Sequence, residues 1–281
     1  MSTNSGEREI DNLHKSEVSS NVMSLPLSTR EIMATVLSRD LEDGQWVEVG
    51  ANLPVPRAGV LLAHLHHGPN MTVMMSMTKV NVLNEPSIEE FEFITDARAT
   101  RWAEAYYIHN DLVENMKFRR NGVFFAGALQ IDPWGNSNLI GIGSDYHKLK
   151  FRGPGAVGTT NATVMNSRFH LVVNSHDKRI FVEKCDFISS YGWGRGRGDR
   201  ENLGLPGGPR YCVTPLCVMD FDDDSKRLRL KSVHPGVSVR DVIERTGFEL
   251  IVPKDVPETP KPTVHELEIL RMRIDIAGNL R

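Results

Sequence analysis

The sequence is poor in cysteine and nearly balanced in charge, and each scarcity excludes a class of protein. Its three cysteines among 281 residues are too few and too far apart for a disulfide framework, and no two of them form a C-x-x-C pair. Its formal net charge of −3 creates no field that would attract nucleic acid or an anionic membrane. We therefore expect a protein of the reducing cytoplasm that binds neither nucleic acid nor membranes.

Long apolar runs are absent from the start of the sequence. Residues 1–27 are polar and mix acidic with basic residues, without the apolar segment of a signal peptide or a membrane span. We expect these residues to form a mostly disordered tail. Residues 28–281 can bury one large core, so a single domain is predicted over that range.

Helical and strand patterns alternate in the first half of that domain. Apolar spacing and N-cap residues predict helices, whereas period-two alternation and β-branched runs predict strands. The predicted helices are 28–44, 57–67 and 98–120, and the predicted strands are 45–52, 71–83 and 122–131. This alternation predicts an α/β fold with an open, mainly parallel sheet and flanking helices.

The second half reads as additional short strands separated by turn residues. These predicted strands are 138–144, 162–175, 179–190, 210–221 and 227–235. A capped helix follows at 238–248, and an amphipathic helix at 264–275 is expected to pack back on the sheet or on a partner.

A polar turn interrupts the apolar pattern in "GALQIDPWGNSNLIGIG", residues 127–143. Gln130 and Asn138 flank this turn beyond a buried strand, which is where α/β proteins present ligand-binding groups. The alternative is a plain type I turn with Pro133 at its second position. The residues alone leave both interpretations open.

A second loop, "FRGPGAVGTTNAT" (151–163), combines three glycines with small residues. Its backbone can approach a ligand closely and offer N–H donors to an oxyanion or a phosphate. The loop also matches G-x-G-x-x-G. No buried strand precedes it, and the Thr/Asn-rich sequence after it is not expected to form a helix, so a dinucleotide site is not predicted.

Two further clusters invite a ligand interpretation. His64, His66 and His67 have no Cys, Asp or Glu at ligand spacing, so no metal site is predicted. The three arginines in "RGRGDR" (195–200) are expected to form a solvated loop, with contact to a phosphate or a partner chain as the alternative.

Several ordered blocks carry a family resemblance. "GALQIDPWGNSN", "GPGAVG", "KRIFVEKCDFISSYGWG", "LGLPGGP" and the block that begins "VMDFDDDSKRLRLKSVHPG" resemble, in this order, the β-subunit of glutaconate CoA-transferase and its relatives in the class I CoA-transferase superfamily. The resemblance implies the class I CoA-transferase fold, a separately encoded α-type subunit in an α2β2 heterotetramer, and an active site between the subunits. It also implies an acyl-CoA thioester as substrate and no cofactor besides.

The family's nucleophile is missing here. In such transferases a β-subunit glutamate attacks the thioester carbonyl, but the resemblance places Met75, before Ser76, at that position. No Asp or Glu lies between Glu48 and Glu85, and the cysteine of a decarboxylating branch is also absent. No catalytic residue is therefore assigned to this chain. The oxyanion- and CoA-binding candidates are Gly153, Gly155, Ala156, Asn52, Gln130 and Asn138.

Another branch resembles this situation better: the two-subunit hydrolases that open a steroid-derived ring as a CoA thioester. In that branch the α-type subunit supplies the working carboxylate. The resemblance implies hydrolytic carbon–carbon cleavage, in which water adds to a ring ketone and donors around the thioester stabilise an enolate. The alternatives are ordinary CoA transfer and a non-catalytic scaffold or ligand-sensing subunit.

Overall fold

The structure, a computed structural model, describes residues 21–50, 52–75, 79–81, 103–106 and 121–281. Its strands are β1 (Trp46–Val49), β2 (Thr72–Met75), β3 (Lys79–Val80), β4 (Ala105–Tyr106), β5 (Gly122–Ala126), β6 (Gln130–Ile131), β7 (Ser137–Asn138), β8 (Gly141–Ile142), β9 (Phe151–Arg152), β10 (Arg168–Val172), β11 (Pro209–Val213), β12 (Cys217–Phe221) and β13 (Leu228–Val233). Its helices are α1 (Thr29–Arg39), α2 (Pro54–His66), α3 (Thr159–Met165), α4 (Asp199–Asn202), α5 (Val239–Arg245) and α6 (Val264–Ile269), which continues as a π-helical turn (Leu270–Ile274).

Nine of these strands form the central sheet, in the order β13-β12-β11-β10-β5-β1-β2-β3-β4. The five central strands, from β11 to β2, run parallel. Both margins are antiparallel, because β3 and β12 run opposite to the central strands, and β4 and β13 pair antiparallel with them. The prediction of an open, mainly parallel α/β sheet with additional short strands is confirmed.

One face of the sheet is covered by α1, α2 and the C-terminal helix. Ser28 caps α1 in a reciprocal capping box with Glu31. A side chain at Gly59 would place its Cβ 2.7 Å from the carbonyl oxygen of Ala34, so glycine lets α2 pack directly on α1. The core of this face includes Leu37, Leu62, Val47, Phe125 and Ile274.

The other face packs against shorter helices and loops. Its core includes Phe124, Phe169, Leu171, Phe181 and Met219, all buried. The three cysteines are free and buried. None of the helices in the described ranges is both long enough and apolar enough to cross a lipid bilayer.

One predicted strand is confirmed in part and another is wrong. The predicted strand 162–175 contains β10 (Arg168–Val172) but begins too early. Residues 162–165 belong to helix α3, because Gly158 in the left-handed region, with φ of 79°, turns the chain into a helix that ends at Asn166. Residues 179–190 form only isolated bridges, Ile131 with Phe181 and Ser137 with Ser190, because their backbone pairs with the short strands of the polar turn.

The predicted helix at 98–120 is wrong in the part that the structure describes. Ala105 and Tyr106 form β4, which pairs antiparallel with β3 at the edge of the sheet. The rest of that predicted helix, except 103 and 104, lies outside the described residues.

The predicted tail at residues 1–27 is described only from residue 21. Residues 21–24 form a helical turn. The guanidinium of Arg271 donates hydrogen bonds to the carbonyl oxygens of Val22 and Pro26 and pairs with Glu31 at 2.6 Å. Residues 22–26 are therefore attached to the folded body.

Candidate active site

The carboxyl ends of the parallel strands β2, β1 and β5 meet at one edge of the sheet, where open α/β proteins bind ligands. Strand β1 ends at Val49, and the following turn carries Asn52 with φ of 53°. Asparagine tolerates this left-handed conformation better than most residues. The side chain of Asn52 is exposed at the entrance to α2, so it can reach a ligand at this edge.

Met75 ends strand β2 and is 3% exposed. It lies opposite Val49 of the neighbouring strand β1, and it belongs to the apolar core that also contains Val55 and Phe125. A thioether in an apolar core has neither a proton to exchange nor a nucleophilic oxygen. The end of β2 therefore supplies packing rather than chemistry.

The glycine loop of residues 153–158 runs beside Leu139 and Ile140. The backbone N–H of Gly153 donates to Ile140 O at 2.9 Å, and that of Gly155 donates to Leu139 O at 3.1 Å. A Cβ on Gly153 would lie 2.2 Å from Leu139 O, so only glycine fits there. These two N–H groups, predicted as ligand donors, are already engaged and instead fix the path of the loop.

Donors without an acceptor follow directly in this loop. Among the residues that the structure describes, the backbone N–H groups of Ala156 and Val157 have no hydrogen-bond acceptor. Val157 has φ of 49° and is 50% exposed. A β-branched residue in this region is strained, and such strain is found at ligand-binding turns. Sequence reasoning named Ala156 and missed Val157, whose type gives no signal of that conformation.

Helix α3 begins where the glycine loop ends, and side chains fix its position. The hydroxyl of Thr160 donates to Ser189 O at 2.6 Å. The guanidinium of Arg200 donates to Thr163 O at 3.0 Å. These bonds anchor the helix at both ends, so the unpaired N–H groups before it are held in place.

Gln130 and Asn138 face each other across β6 and β7, both buried. The Asn138 amide donates to Gln130 Oε1 and to Gly141 O, each at 2.7 Å, and Asn138 Oδ1 accepts from the N–H of Ile140 at 2.8 Å. Their polar groups therefore hold the segment beside which the glycine loop runs. A direct contact of either residue with coenzyme A stays a prediction.

The Asp-Pro-Trp-Gly turn is a closed hydrogen-bonded unit. Asp132 accepts hydrogen bonds from the N–H of Trp134 at 3.0 Å and from the side-chain amide of Asn136 at 2.8 Å. Burial raises the pKa of Asp132 to about 6, against the opposing effect of these hydrogen bonds. Asn136 also donates to Gly194 O at 2.7 Å. This bond connects the turn to the loop that contains Gly194.

The arginines of residues 195–200 are occupied within the chain. Arg195 pairs with Asp199 and Arg197 pairs with Asp224, both on the surface. Arg200 is 1% exposed, and burial lowers its pKa to about 10. Its guanidinium donates to four backbone carbonyl oxygens, so a ligand phosphate cannot reach it.

Within the part of the chain that the structure describes, the histidines of residues 64–67 are not joined by other metal-ligating side chains. The Nδ1 atoms of His66 and His67 lie 3.2 Å apart. In the described ranges no group of three or more His, Cys, Asp or Glu side chains could hold a metal ion.

Residues 30–245 match the family model for coenzyme A transferase. The chain belongs to the coenzyme A transferase family. The chain is 34% identical over 257 residues to the B-type subunit of glutaconate CoA-transferase from Acidaminococcus fermentans, and the match covers 88% of this chain and 92% of that protein. It is 35% identical over 246 residues to the B-type subunit of 3-oxoadipate CoA-transferase from Pseudomonas knackmussii, covering 87% and 92%.

A further relative of this coenzyme A transferase family member catalyses different chemistry. The cholesterol ring-cleaving hydrolase IpdB subunit of Mycobacterium tuberculosis is 26% identical over 252 residues, covering 89% of this chain and 96% of that protein. The crystal structure of the Acidaminococcus glutaconate CoA-transferase superposes with a TM-score of 0.80 at 29% identity, covering 90% of this chain and 97% of that one. The predicted resemblance and fold are confirmed, and the relatives include both transferases and a hydrolase.

Proposed function

We propose that this chain is the B-type subunit of a two-component acyl-CoA enzyme that hydrolyses a carbon–carbon bond, with the catalytic carboxylate on an A-type partner. The observation that carries the proposal is Met75, buried in the apolar core at the end of β2. Nucleophilic transfer of an acyl group to this subunit needs a carboxylate at the reacting carbon. A thioether in that position favours a reaction that uses water.

The proposed reaction steps follow from placing the catalytic carboxylate on the A-type partner. The partner carboxylate removes a proton from water as the water oxygen bonds to a ring ketone carbon. The adjacent carbon–carbon bond then breaks, and its electron pair moves toward the thioester carbonyl to form an enolate, which is finally protonated. In this chain the N–H groups of Ala156 and Val157 are the donors available to the enolate oxygen.

Assembly with an A-type partner is part of the proposal. The two transferase relatives are B-type subunits, which supports an A-type partner for this chain. The α2β2 arrangement is the one that the family resemblance implies. We place this assembly in the cytoplasm, where three unpaired buried thiols stay reduced.

CoA transfer is the alternative, and the identities of 34% and 35% to two transferase subunits favour it. In that reaction a carboxylate of this chain would form an acyl anhydride and then a glutamyl-CoA thioester. The two candidates therefore differ in whether CoA becomes covalently attached to this subunit.

Trapping distinguishes the two reactions. The co-expressed complex is incubated with acyl-CoA, treated with hydroxylamine or borohydride, and analysed by mass spectrometry of each subunit. We expect no CoA-dependent modification of this chain. A CoA-dependent adduct on one of its carboxylates, together with transfer of CoA to a free acid, would reject the hydrolytic proposal.

A further inference from the structure

A hairpin precedes the glycine loop and presents a surplus of positive charge. It comprises residues 145–152, which are the turn after β8 together with strand β9, and we refer to it as the basic hairpin. Lys148, Lys150 and Arg152 are all exposed on it. The chain as a whole carries a net charge of −3, so this local surplus is not a consequence of overall composition.

The cations of the basic hairpin have no carboxylate partner within the described ranges. Two carboxylates of this region, Asp145 and Asp186, accept hydrogen bonds from backbone groups. Asp145 accepts from the N–H of His147 at 2.9 Å, and Asp186 accepts from the N–H of Gly143 at 2.8 Å. The three positive charges are therefore available to an anion from outside the chain.

The basic hairpin is ordered and oriented by its own contacts. The N–H of Lys150 donates to Ile142 O at 2.8 Å, and the N–H of Lys148 donates to Asp145 O at 3.0 Å. The guanidinium of Arg152 lies 4.8 Å from the ring centroid of Tyr146 and donates to its hydroxyl at 3.0 Å. This contact fixes the direction of Arg152 and leaves other N–H donors of the guanidinium for a ligand.

The distance along the chain from this charge to the site is short. Arg152 precedes Gly155 by three residues and Lys148 precedes it by seven, which correspond to at most about 11 Å and about 25 Å of extended chain. The pantetheine arm separates the thioester of an acyl-CoA from its phosphates. A thioester at the N–H groups of Ala156 and Val157 would thus place phosphates within reach of the basic hairpin.

We propose that the basic hairpin binds the diphosphate and 3′-phosphate of coenzyme A through Lys148, Lys150 and Arg152. This inference rests on the proposed function, because it takes an acyl-CoA as the ligand. Hydrogen bonds between these cations and phosphate oxygens are charge-assisted and are the stronger class of such bonds. The hairpin then anchors the nucleotide while the glycine loop contacts the acyl end.

Equilibrium binding of coenzyme A, dephospho-coenzyme A and pantetheine to the intact two-subunit complex tests the proposal. The test variant is Lys148→Gln/Lys150→Gln, and the matched control is Lys254→Gln/Lys261→Gln, which removes two exposed charges elsewhere. We expect the test variant to bind coenzyme A roughly tenfold more weakly at low salt. Its affinity for pantetheine should equal that of the wild type, and the control should bind all three ligands normally.

Three outcomes would overturn the proposal. Unchanged affinity of the test variant for coenzyme A would exclude the basic hairpin as the phosphate site while leaving the proposed function intact. Dissociation of the complex in sedimentation, caused by the test variant alone, would assign the hairpin to the subunit interface instead. A wild-type complex that binds neither coenzyme A nor pantetheine would reject the proposed function, and with it this inference.

Discussion

Replacement of Gly155 by valine tests the glycine loop most directly. Gly155 has φ of 91°, and a Cβ there would meet no atom within 4 Å. The added Cβ therefore meets no neighbour, and the main effect of the substitution comes from a backbone conformation that a β-branched residue rarely adopts. Relaxation of this strain would move the N–H groups of Ala156 and Val157, which follow immediately in the chain.

The expected loss follows from the role of those donors. Removing one oxyanion donor typically costs about 3 kcal/mol of transition-state stabilisation, which corresponds to roughly a hundredfold in kcat. The backbone strain itself costs about 1–3 kcal/mol of folding stability. Steady-state kinetics of the complex and thermal unfolding of the same preparations measure the two effects separately.

Gly236→Val provides the matched control, because Gly236 has φ of 80° and equally open surroundings. We expect both variants to lower the melting temperature, but only Gly155→Val to lower kcat. A folded Gly155→Val complex with wild-type turnover would refute the assignment of the loop. Equal losses of turnover in the two variants would show that strain anywhere in the fold reduces activity.

Three further predictions concern stability. Met75→Ala removes a core side chain, so we expect a loss of about 2–5 kcal/mol in denaturant unfolding, with a smaller loss of kcat than removal of a partner carboxylate; the reverse order would contradict a packing role. Burial lowers the pKa of His176 from 6.5 to about 4, so the unfolded state binds the proton more readily and the free energy of unfolding should fall by as much as about 3 kcal/mol from pH 6.5 to pH 4. The raised pKa of Asp132 acts on stability in the opposite sense. The test is therefore the difference in the free energy of unfolding between the wild type and His176→Gln, which should change between pH 6.5 and pH 4. A difference that stays constant over this range would exclude the effect. Arg200→Met leaves four carbonyl oxygens, two of them in fully buried hydrogen bonds, without their donor, and we expect it to destabilise the fold by more than about 2 kcal/mol, whereas Arg195→Met on the surface should be neutral.

The sequence predicts the strands of the sheet well because their signal is local. Runs such as Val123 to Ala126 are apolar without interruption, which is typical of parallel strands buried on both faces. Helix α3 was missed because threonine and asparagine have low helix propensity. Its formation depends on distant contacts, from Arg200 and Ser189, that no local pattern contains.

The candidate site could be predicted only in outline. The spacing of glycines located the loop, but whether an N–H group is free depends on the neighbouring strand. The carbonyl oxygens of Leu139 and Ile140 accept from the N–H groups of Gly155 and Gly153. The unpaired donors are therefore those of the next residues, Ala156 and Val157. The hydrogen-bond partners of Gln130 and Asn138 could not be predicted either. Residue type does not reveal whether a buried side-chain amide binds the backbone or a ligand.

The contact between Arg271 and residues 22–31 has a consequence for biosynthesis. Glu31 and Arg271 are 240 positions apart, and Leu270 and Ile274 belong to the same core as α1. During translation, the face of the sheet that α1 and α2 cover lacks the C-terminal helix until residue 274 has left the ribosome. The nascent chain therefore exposes apolar surface on that face for most of its synthesis, and chaperone binding to stalled chains should end only when the stall point lies beyond the C-terminal helix.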